Sequence, residues 1–431
     1  MLSSNLTIGE NGHLYFGGQD TVRLAEQFET PLFVMDEVRI RSNMRMYRTA
    51  FETHFGAGSL PLYASKACCF KRMYEIAREE GMGIDVVSAG EIHTAIKAGF
   101  PLSQAYFHSN NKTNREIAYA IDNGIGFFVV DNREELDAIN KIAGEKGRKQ
   151  PVLLRLTPGI DPHTYEAVAT GKVDSKFGTA IETGQALEMV RYTLTLPNID
   201  LKGFHCHVGS QVFGEDVYHR TADIMLTFIA QCKAELDFMA EELDMGGGYG
   251  VRYTEADEQI DIPKAIGEVA QHMKAVCSRL GIALPNIHME PGRSIAADAG
   301  VTLYEVGTIK KITGYKNYVS VDGGMTDNPR YALYGSKYTV LLASRPNDPK
   351  NLTADVVGRC CESGDIVQPN VELPEPRRGE ILAVCTTGAY NYSMASNYNR
   401  VARPAVVMVT PEKAEVVVRR ETPEDLTRND V

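Results

Sequence analysis

Lys66 is the residue whose chemistry is most readily inferred from the sequence. It lies in residues 60–67 (LPLYASKA), directly after a short apolar run that predicts a buried β-strand. A lysine fixed at the end of a strand can form an imine with an aldehyde cofactor. That chemistry also requires a phosphate cradle, a partner for a ring nitrogen and a clamp for the substrate.

A run of three glycines could supply the phosphate cradle. Gly246, Gly247 and Gly248 follow another predicted strand. Glycines let the backbone approach a ligand closely and turn several N–H groups toward one point, which suits a phosphate. A flexible turn would explain the same run, and the segment is not a P-loop because no Gly-Lys-Ser/Thr follows.

The segment Glu290-Pro291-Gly292-Arg293 could supply both the ring partner and a clamp. A carboxylate can keep a pyridine nitrogen protonated, which turns the ring into an electron sink for a carbanion. Gly292 could give a further N–H to a phosphate, and Arg293 could bind a carboxylate. A glutamate–arginine surface pair at a turn is the alternative.

Residues 205–211 (HCHVGSQ) contain two histidines at a spacing of two. On a strand His205 and His207 would point to the same face, as in some metal sites. We predict no metal, because no third ligand is evident. We expect one imidazole to pack against a flat ring and Ser210 to bind a phosphate, with His205 in the core.

Three segments nearer the C-terminus carry further candidates. Arg330 and Tyr334 are four residues apart, and Arg330 could hold a second carboxylate or be a solvated arginine. In residues 360–365 (CCESGD), a thiol could protonate a carbanion while Glu362 holds an ammonium group. Most cysteines, however, are small buried hydrophobes. The loop at 388–399, which contains Tyr390, is rich in aromatic and amide residues, as a packed turn could also be.

The elements that must position these residues alternate between strands and helices from about residue 36 to 290. Eight runs are predicted to be strands: residues 61–64, 84–87, 105–107, 127–130, 152–156, 203–207, 243–245 and 287–289. Helix-like stretches between them imply a parallel sheet, and eight units predict a closed (β/α)8 TIM-like barrel.

The distribution of polar residues favours the barrel over an open sheet. Chemistry in such barrels sits at the C-terminal ends of the strands, and polar residues follow nearly every predicted strand. A doubly wound open sheet would gather them at one switch point instead. The polar residues concerned are Lys66, Asp85, His108, Asp131, Arg155, His207, Gly246 to Gly248 and Glu290.

After about residue 300 the sequence predicts a second, β-rich domain, a β-barrel or sandwich. Residues 301–308, 317–321, 337–343, 380–384 and 405–409 are strand-like, with few helical stretches between them. The N-terminal runs 13–16 and 32–35 are expected to join it. We therefore predict a cofactor-binding barrel at 36–300 and a β-rich domain made of 1–35 and 301–431.

The composition excludes several classes of partner. The 431 residues carry a net charge of −11, so nucleic acid, which needs basic surface, is not an expected partner. No apolar run is long enough to cross a membrane, and the N-terminus lacks the features of a signal peptide. The eight cysteines form no C-x-x-C pair, so we expect reduced thiols in a cytoplasmic protein.

Taken together, the motifs resemble those of the diaminopimelate decarboxylases, which are pyridoxal-phosphate enzymes of the alanine-racemase-like fold type. The resemblance spans nearly the whole chain, in the family's order. The matching segments are residues 63–67 (YASKA), 85–91 (DVVSAGE), 174–178 (DSKFG), 205–211, 246–248, 290–293, 361–365 and 388–399. Two positions depart from the family's pattern: Tyr165 stands where relatives often have histidine, and Cys68 where asparagine is common.

The resemblance implies roles that composition cannot show. Lys66 would carry the covalently bound pyridoxal 5'-phosphate, beside Asp85, with His207 stacked on its ring and Glu290 paired with its nitrogen. Cys361 would donate the proton, and the site would be shared across a homodimer. The phosphate would be held by Ser210, Gly246, Gly247, Gly248, Gly292 and Tyr390, next to Pro291. The small-molecule amino-acid substrate would be bound by Arg293, Arg330, Tyr334, Glu362 and Tyr390.

The implied reaction is decarboxylation of meso-2,6-diaminopimelate to L-lysine. Arg293, Arg330 and Glu362 would suit a substrate with a second carboxylate and a second ammonium group. A related decarboxylase acting on lysine, ornithine, arginine or carboxynorspermidine is the nearest alternative. An amino-acid racemase and a non-catalytic pyridoxal-phosphate-binding protein are more distant ones. The polar segment 161–178 is a candidate lid.

Overall fold

The computed structural model describes residues 2–160 and 175–431. Tyr165 and most of the candidate lid therefore lie outside the described residues. Elements are numbered within the described part of the chain. The strands are β1 (Leu6–Ile8), β2 (Leu14–Phe16), β3 (Gln19–Asp20), β4 (Leu32–Asp36), β5 (Leu60–Ala64), β6 (Gly83–Val86), β7 (Ala105–Phe107), β8 (Phe127–Val130), β9 (Gln150–Thr157), β10 (Thr179–Ala180), β11 (Ile199–His205), β12 (Glu242–Asp244), β13 (Asn286–Met289), β14 (Gly300–Ile312), β15 (Lys316–Val321), β16 (Val340–Leu342), β17 (Leu352–Val357), β18 (Ile366–Leu373), β19 (Ile381–Cys385), β20 (Ala405–Val409) and β21 (Ala414–Val418).

Helices separate most of the early strands and are rare after residue 300. They are α1 (Thr21–Phe28), α2 (Glu37–His54), α3 (Lys71–Glu79), α4 (Ala89–Lys97), α5 (Asn114–Asp122), α6 (Arg133–Glu145), α7 (Gln185–Thr193), α8 (Glu215–Leu236), α9 (Ile262–Leu280), α10 (Arg293–Ala296), α11 (Arg330–Tyr334) and α12 (Pro423–Thr427).

Eight parallel strands of the described chain close into a barrel, which confirms the predicted (β/α)8 fold. The order is β9-β11-β12-β13-β5-β6-β7-β8, and pairing of β8 with β9 completes the ring. The short β10 adds to β9 outside this ring. Most residues of these strands are buried, because a barrel with surrounding helices covers both faces of a parallel sheet.

Side chains cap three of the barrel helices that follow strand ends. Ser88, Thr113 and Asn132 each accept a hydrogen bond from a backbone N–H in the first turn of α4, α5 and α6. Such caps satisfy N–H groups that have no partner inside the helix. They fix the short loops at the C-terminal ends of the strands, where the candidate residues lie.

The β-rich part contains a second sheet in which the longest strand, β14, is central. β14 pairs antiparallel with β15, β19 and β4, and β4 pairs in parallel with β20. The N-terminal run at 32–35 is therefore part of this sheet, as predicted. The run at 13–16 forms β2 of a separate three-stranded sheet with β1 and β3.

Two compact units divide the chain at bounds that differ somewhat from the predicted ones. The barrel unit comprises Met44–Gly250 and Ile260–Gly292. The β-rich unit comprises Met1–Asn43, Val251–Gln259 and Arg293–Val431. Val251–Gln259 thus belongs to the β-rich unit although it lies between β12 and α9 in the sequence. The assignment of 36–300 as a cofactor-binding domain stays a prediction.

Strands β17 and β18 were missed by the sequence analysis because polar residues interrupt their apolar patterns. β17 contains Asp355, which is buried and lies 2.6 Å from the Lys316 Nζ. β18 contains Pro369 and Asn370, and Asn370 has a φ of 52°. Proline and positive-φ residues are uncommon in strand interiors, and the β17–β18 register shifts at this point.

No helix among the described residues is long and apolar enough to cross a membrane.

A buried ion pair ties two loops of the barrel unit together. The Lys112 side chain is fully buried, and its Nζ donates to Glu135 Oε1 at 2.7 Å, to the Val129 carbonyl at 2.8 Å and to the Ser109 carbonyl at 3.0 Å. Glu135 in turn accepts from the Asp131 backbone N–H at 3.3 Å. This pair fixes the loop after β7 against the loop after β8.

Replacing Glu135 by leucine is expected to lower the free energy of unfolding by about 3–5 kcal/mol, because the Lys112 ammonium is left buried without its counter-charge. The double variant Lys112→Met/Glu135→Leu should recover most of that loss, since an apolar pair of similar volume often substitutes well. Urea unfolding, monitored by circular dichroism, measures the free energy of unfolding of both variants.

The exposed pair Lys141–Glu145 is the matched control for this experiment. Glu145→Ala should lower the free energy of unfolding by less than about 1 kcal/mol. Equal small losses for Glu135→Leu and Glu145→Ala would contradict a stabilising role for the buried pair.

Candidate active site

Lys66 lies in a turn that is held from both sides. Residues Ser65–Ala67 form one turn of 3₁₀ helix directly after β5. The Ser65 hydroxyl donates to the Asp85 carbonyl at 2.5 Å and to Glu91 Oε2 at 3.1 Å. The Lys66 side chain remains 41% exposed, with its Nζ 3.9 Å from Asp85 Oδ2. The backbone is therefore fixed while the amine stays accessible.

Asp85 is a buried carboxylate at the end of the neighbouring strand. Neither of its oxygens has a hydrogen-bond partner in the described part of the chain. Burial, together with repulsion from Glu290, raises the pKa of Asp85, and attraction from His108 and Lys66 opposes that rise. A buried carboxylate without hydrogen-bond partners is rare unless a site uses it.

Glu290 follows β13 and is the charged centre of the barrel unit. Its Oε1 lies 2.9 Å from His108 Nε2 and 3.3 Å from His205 Nε2, and all three side chains are buried. Burial alone would raise the pKa of Glu290, but His108 and His205 hold it well below its usual range. Glu290 is therefore ionised at neutral pH.

Burial lowers the pKa of His205 to about 3, so this imidazole is neutral. His205 is a core residue, as the sequence analysis expected, but it also contacts Glu290. Asp244, at the end of β12, is the opposite case: burial and the charge of Glu290 raise its pKa well above the usual range. Its Oδ1 accepts from the Gly246 N–H at 2.8 Å.

The structure supplies possible partners for His205 that were not evident in the sequence. Ligating atoms of His108, His205, Asp244 and Glu290 all lie within 4.8 Å of one another, a spacing that could also suit a metal ion. His207, the other histidine of the pair, is not a member of this cluster. The fold therefore does not place His205 and His207 together in one candidate metal site.

His207 is held by the glycine run. Its Nδ1 accepts from the Gly247 N–H at 3.3 Å, which leaves that nitrogen unprotonated. Burial and the positive charge of Lys66 lower the pKa of His207 well below its usual range. A neutral imidazole of fixed orientation can pack against a flat ring, as the sequence analysis proposed for this residue.

The three glycines are required by the surrounding backbone. A Cβ on Gly247 would lie 2.2 Å from the Glu290 carbonyl oxygen, and one on Gly246 would lie 2.6 Å from the Cys206 carbonyl oxygen. Gly248 has a φ of 126°, a conformation that L side chains rarely adopt. The close approach joins the loop carrying His207 to the loop carrying Glu290.

The loops with Ser210 and Gly292 are joined to the same region. The Val212 N–H donates to the Gly248 carbonyl at 2.9 Å, so the Ser210 loop follows the glycine run. The Pro291 carbonyl accepts from the Ala64 N–H at 3.1 Å, and a Cβ on Gly292 would lie 2.9 Å from the Ala64 Cβ. The glutamate loop therefore packs on the strand that precedes Lys66.

These observations fit the pyridoxal phosphate that the sequence resemblance implies. Lys66 offers an accessible amine, and Glu290 offers an ionised carboxylate for a protonated ring nitrogen. At Gly246 to Gly248 and at Gly292 the backbone approaches neighbouring loops where a Cβ would not fit, and the Ser210 loop follows the glycine run.

The β-rich unit gathers the predicted carboxylate-binding residues around one tyrosine ring. The guanidinium carbons of Arg293 and Arg330 lie 4.6 Å and 5.5 Å from the centroid of Tyr390, and Arg330 lies 5.2 Å from that of Tyr334. Both arginines are buried. Tyr390 has a φ of 61°, a strained conformation of the kind found at functional sites.

Arg330 has no carboxylate partner among the described residues, and its Nε is buried without a hydrogen bond. Its described contacts are the two tyrosine rings and a weak bond from Nη2 to Ser336 Oγ at 3.4 Å. An arginine buried in this way is not the solvated residue that was the alternative interpretation. It is suited to binding an anionic group from outside the chain.

Cys361 and Glu362 are exposed and make no described side-chain contact with Arg293, Arg330 or Tyr390. The Cys361 N–H donates to Asn399 Oδ1 at 2.8 Å, and Glu362 Oε1 accepts from the Gly364 N–H at 3.2 Å. Their loop is therefore ordered, with both side chains at the surface of the β-rich unit.

Sequence reasoning did not select Asp244 or Tyr253, although the fold brings both to the candidate site residues. Asp244 lies beside Glu290. Tyr253 contacts Arg293 through its hydroxyl. Asp244 is the last residue of β12 and lies two residues before the glycine run, so its position at a strand end could have indicated it. Tyr253 carries no such signal. Cys68, a departure from the family's pattern, is a buried core thiol.

The chain is similar to known proteins over nearly its whole length. The family described as "Pyridoxal-dependent decarboxylase, pyridoxal binding domain" matches residues 37–297. Diaminopimelate decarboxylase of Bacillus subtilis (strain 168) is 42% identical over 98% of this chain and 96% of its own length. That of Staphylococcus aureus (strain COL) is 43% identical, with 98% of each chain covered. A crystal structure of diaminopimelate decarboxylase from M. jannaschii in complex with L-lysine superposes with a TM-score of 0.91 at 32% identity, covering 100% of this chain and 99% of the other.

The variant Gly247→Ala tests the close backbone approach. The added methyl meets the Glu290 carbonyl oxygen, so the free energy of unfolding should fall by about 2 kcal/mol or more, with weaker retention of the cofactor. Thermal unfolding and the absorbance of bound cofactor measure the two effects. Gly56→Ala is the control, because nothing lies within 4 Å of its Cβ. Equal behaviour of the two variants would contradict the packing argument.

Proposed function

The chain belongs to the pyridoxal-dependent decarboxylase family, and we propose that it converts meso-2,6-diaminopimelate into L-lysine and CO2, the last step of bacterial lysine biosynthesis. It is an enzyme, a carboxy-lyase with pyridoxal 5'-phosphate as its cofactor. When bound, the cofactor supplies an electron-accepting ring that stabilises the negative charge left on the α-carbon as CO2 departs.

The barrel unit holds and tunes the cofactor in this proposal. Lys66 would bind it covalently, since its amine is accessible while its backbone is fixed. Glu290 stays ionised in a buried site and would keep the ring nitrogen protonated. His207 is neutral and fixed in orientation, so it would pack against the ring. Within this unit the phosphate would be held by Ser210, Gly246, Gly247, Gly248 and Gly292.

The observation that carries the substrate assignment is the pair of buried arginines around Tyr390. Arg330 brings a positive charge into the protein interior without a described carboxylate to balance it. A substrate with a second carboxylate supplies that counter-charge, and Arg293 and Tyr334 would share its binding. Glu362 would bind the distal ammonium group, and Cys361 would return a proton to the α-carbon.

The alternative substrates match these charges less well. Lysine, ornithine and arginine each have a single carboxylate, which is the one lost in the reaction. They therefore offer no second carboxylate for Arg330 to bind. A racemase would need a base on each face of the α-carbon, and chiral analysis of recovered substrate would reveal one. A non-catalytic binding protein would hold the cofactor but release no CO2 from any diamino acid.

A homodimer with shared active sites is the assembly that we propose. Cys361 and Glu362 are ordered but exposed on the β-rich unit, as expected of residues that complete the site of a second subunit. We also propose a cytoplasmic location. All eight cysteines lie in the described part of the chain and carry free thiols, which suits a reducing compartment.

The substrate assignment predicts CO2 release from meso-diaminopimelate and none from L-lysine, L-ornithine or L-arginine. Arg330→Gln should lower kcat/KM for meso-diaminopimelate by about 10²-fold, because a charged hydrogen-bonding partner of the substrate is lost. Arg378→Gln, at an exposed arginine of the same unit, is the control and should change little. Release of CO2 from a monocarboxylic amino acid would overturn the substrate while leaving the fold and cofactor intact.

The shared-site proposal predicts that two inactive variants restore each other. Lys66→Ala and Cys361→Ala homodimers should each be inactive. After subunit exchange, half of the dimers are hybrids, and each hybrid has one intact site, so about a quarter of wild-type activity should return. A mixture that stays inactive despite proven exchange would show that each site is built from a single chain.

A further inference from the structure

Tyr253 is a buried tyrosine of the β-rich unit that no role proposed above uses. It is 6% exposed and lies in the unit's hydrophobic core, with its ring at right angles to that of Tyr338 at a centroid separation of 5.3 Å. Ring packing accounts for the aromatic side chain at this position. It does not account for the hydroxyl.

The hydroxyl of Tyr253 meets the guanidinium of Arg293. Arg293 Nη1 donates to Tyr253 Oη at 2.6 Å, and both side chains are buried. The face of the Tyr390 ring lies 4.6 Å from the same guanidinium. Arg293 is thus held in its plane by a hydrogen bond and across its plane by an aromatic ring.

The choice of a hydroxyl as partner has an electrostatic consequence. A carboxylate at this position would neutralise Arg293 and compete with an anionic ligand. A neutral hydroxyl accepts one N–H and fixes the rotation of the planar fork without adding a negative charge beside it. The contact with Tyr253 therefore orients the guanidinium without itself competing with a carboxylate ligand.

Tyr253 is itself held in place by polar contacts on both sides of its backbone. Its N–H donates to Asp257 Oδ2 at 2.9 Å, and Thr254 donates to the same oxygen at 2.8 Å. Its carbonyl accepts from the Thr339 hydroxyl at 3.0 Å. The segment 251–259 is thereby fixed to the chain that precedes β16, and the hydroxyl that meets Arg293 has a defined position.

From these contacts we propose that Tyr253 is a positioning residue that makes the enzyme select substrates and products bearing a carboxylate for Arg293 to bind. This inference rests on the proposed function, in which Arg293 contacts the substrate. Tyr253 acts through Arg293 and does not itself touch the reacting atoms.

The test compares two ligands that differ only in the carboxylate. L-lysine and cadaverine share the same diamine chain, and cadaverine lacks the carboxylate. Isothermal titration calorimetry on the cofactor-loaded enzyme measures the Kd of each. In Tyr253→Phe the Kd for L-lysine should rise about tenfold while that for cadaverine stays within about twofold. The KM for meso-diaminopimelate should rise by a similar factor to the Kd for L-lysine, while kcat changes little.

Two controls separate positioning from packing. Tyr338→Phe removes another buried hydroxyl of the same aromatic cluster and should leave both Kd values within about twofold. In an Arg293→Lys background, Tyr253→Phe should cause no further loss, because two residues that act as one unit are not additive. Thr339→Val, one contact further away, should shift the Kd for L-lysine in the same direction by a smaller factor.

Equal weakening of both ligands, additive losses in the double variant, or an unchanged Kd for L-lysine would each overturn the inference. The inference would also be overturned if Tyr253→Phe lowered the cofactor content while the cofactor-loaded fraction bound L-lysine as tightly as the wild type. The hydroxyl would then serve cofactor binding and not carboxylate binding. Wild-type enzyme that releases no CO2 from meso-diaminopimelate would instead refute the proposed function. The two binding constants would still decide the role of Tyr253, because they require no turnover.

Discussion

The contact of Glu290 with two imidazoles is the interaction on which the barrel unit's chemistry depends. An ionised carboxylate taken out of water costs several kcal/mol unless close polar partners compensate. His108 and His205 provide that compensation at 2.9 Å and 3.3 Å, and the pKa of the neighbouring Asp244 is raised by burial and by the charge of Glu290. A buried carboxylate whose pKa is held low can then keep a bound pyridine ring protonated at neutral pH.

The closed barrel makes this contact possible. His108 follows β7, His205 ends β11 and Glu290 follows β13, so three strands remote in sequence must end at one place. Parallel strands in a ring bring their C-terminal ends to one face, where short capped loops fix the side chains. The glycine run after β12 lets the backbones of neighbouring loops approach more closely than any side chain would allow.

The buried charged groups of the β-rich unit's candidate site have the opposite sign from the buried carboxylates of the barrel unit. The barrel unit buries acidic groups and balances one of them with histidines. The β-rich unit buries Arg293 and Arg330 beside the ring of Tyr390, and the Tyr253 hydroxyl accepts a hydrogen bond from Arg293. Arg330 has no carboxylate partner among the described residues, so binding an anionic ligand would remove an electrostatic cost that the folded protein carries.

The sequence by itself determined the eight barrel strands, the family and the residues at the strand ends, because those features depend on local pattern and spacing. It did not show strands β17 and β18, where Asp355, Pro369 and Asn370 break the apolar pattern. It also gave no sign that His205 and His108 would meet Glu290, or that Tyr253 would meet Arg293. These contacts join residues 40 to 182 positions apart. Only the tertiary structure decides them, because burial and proximity set the charge of each group, and neither is encoded in the neighbouring residues.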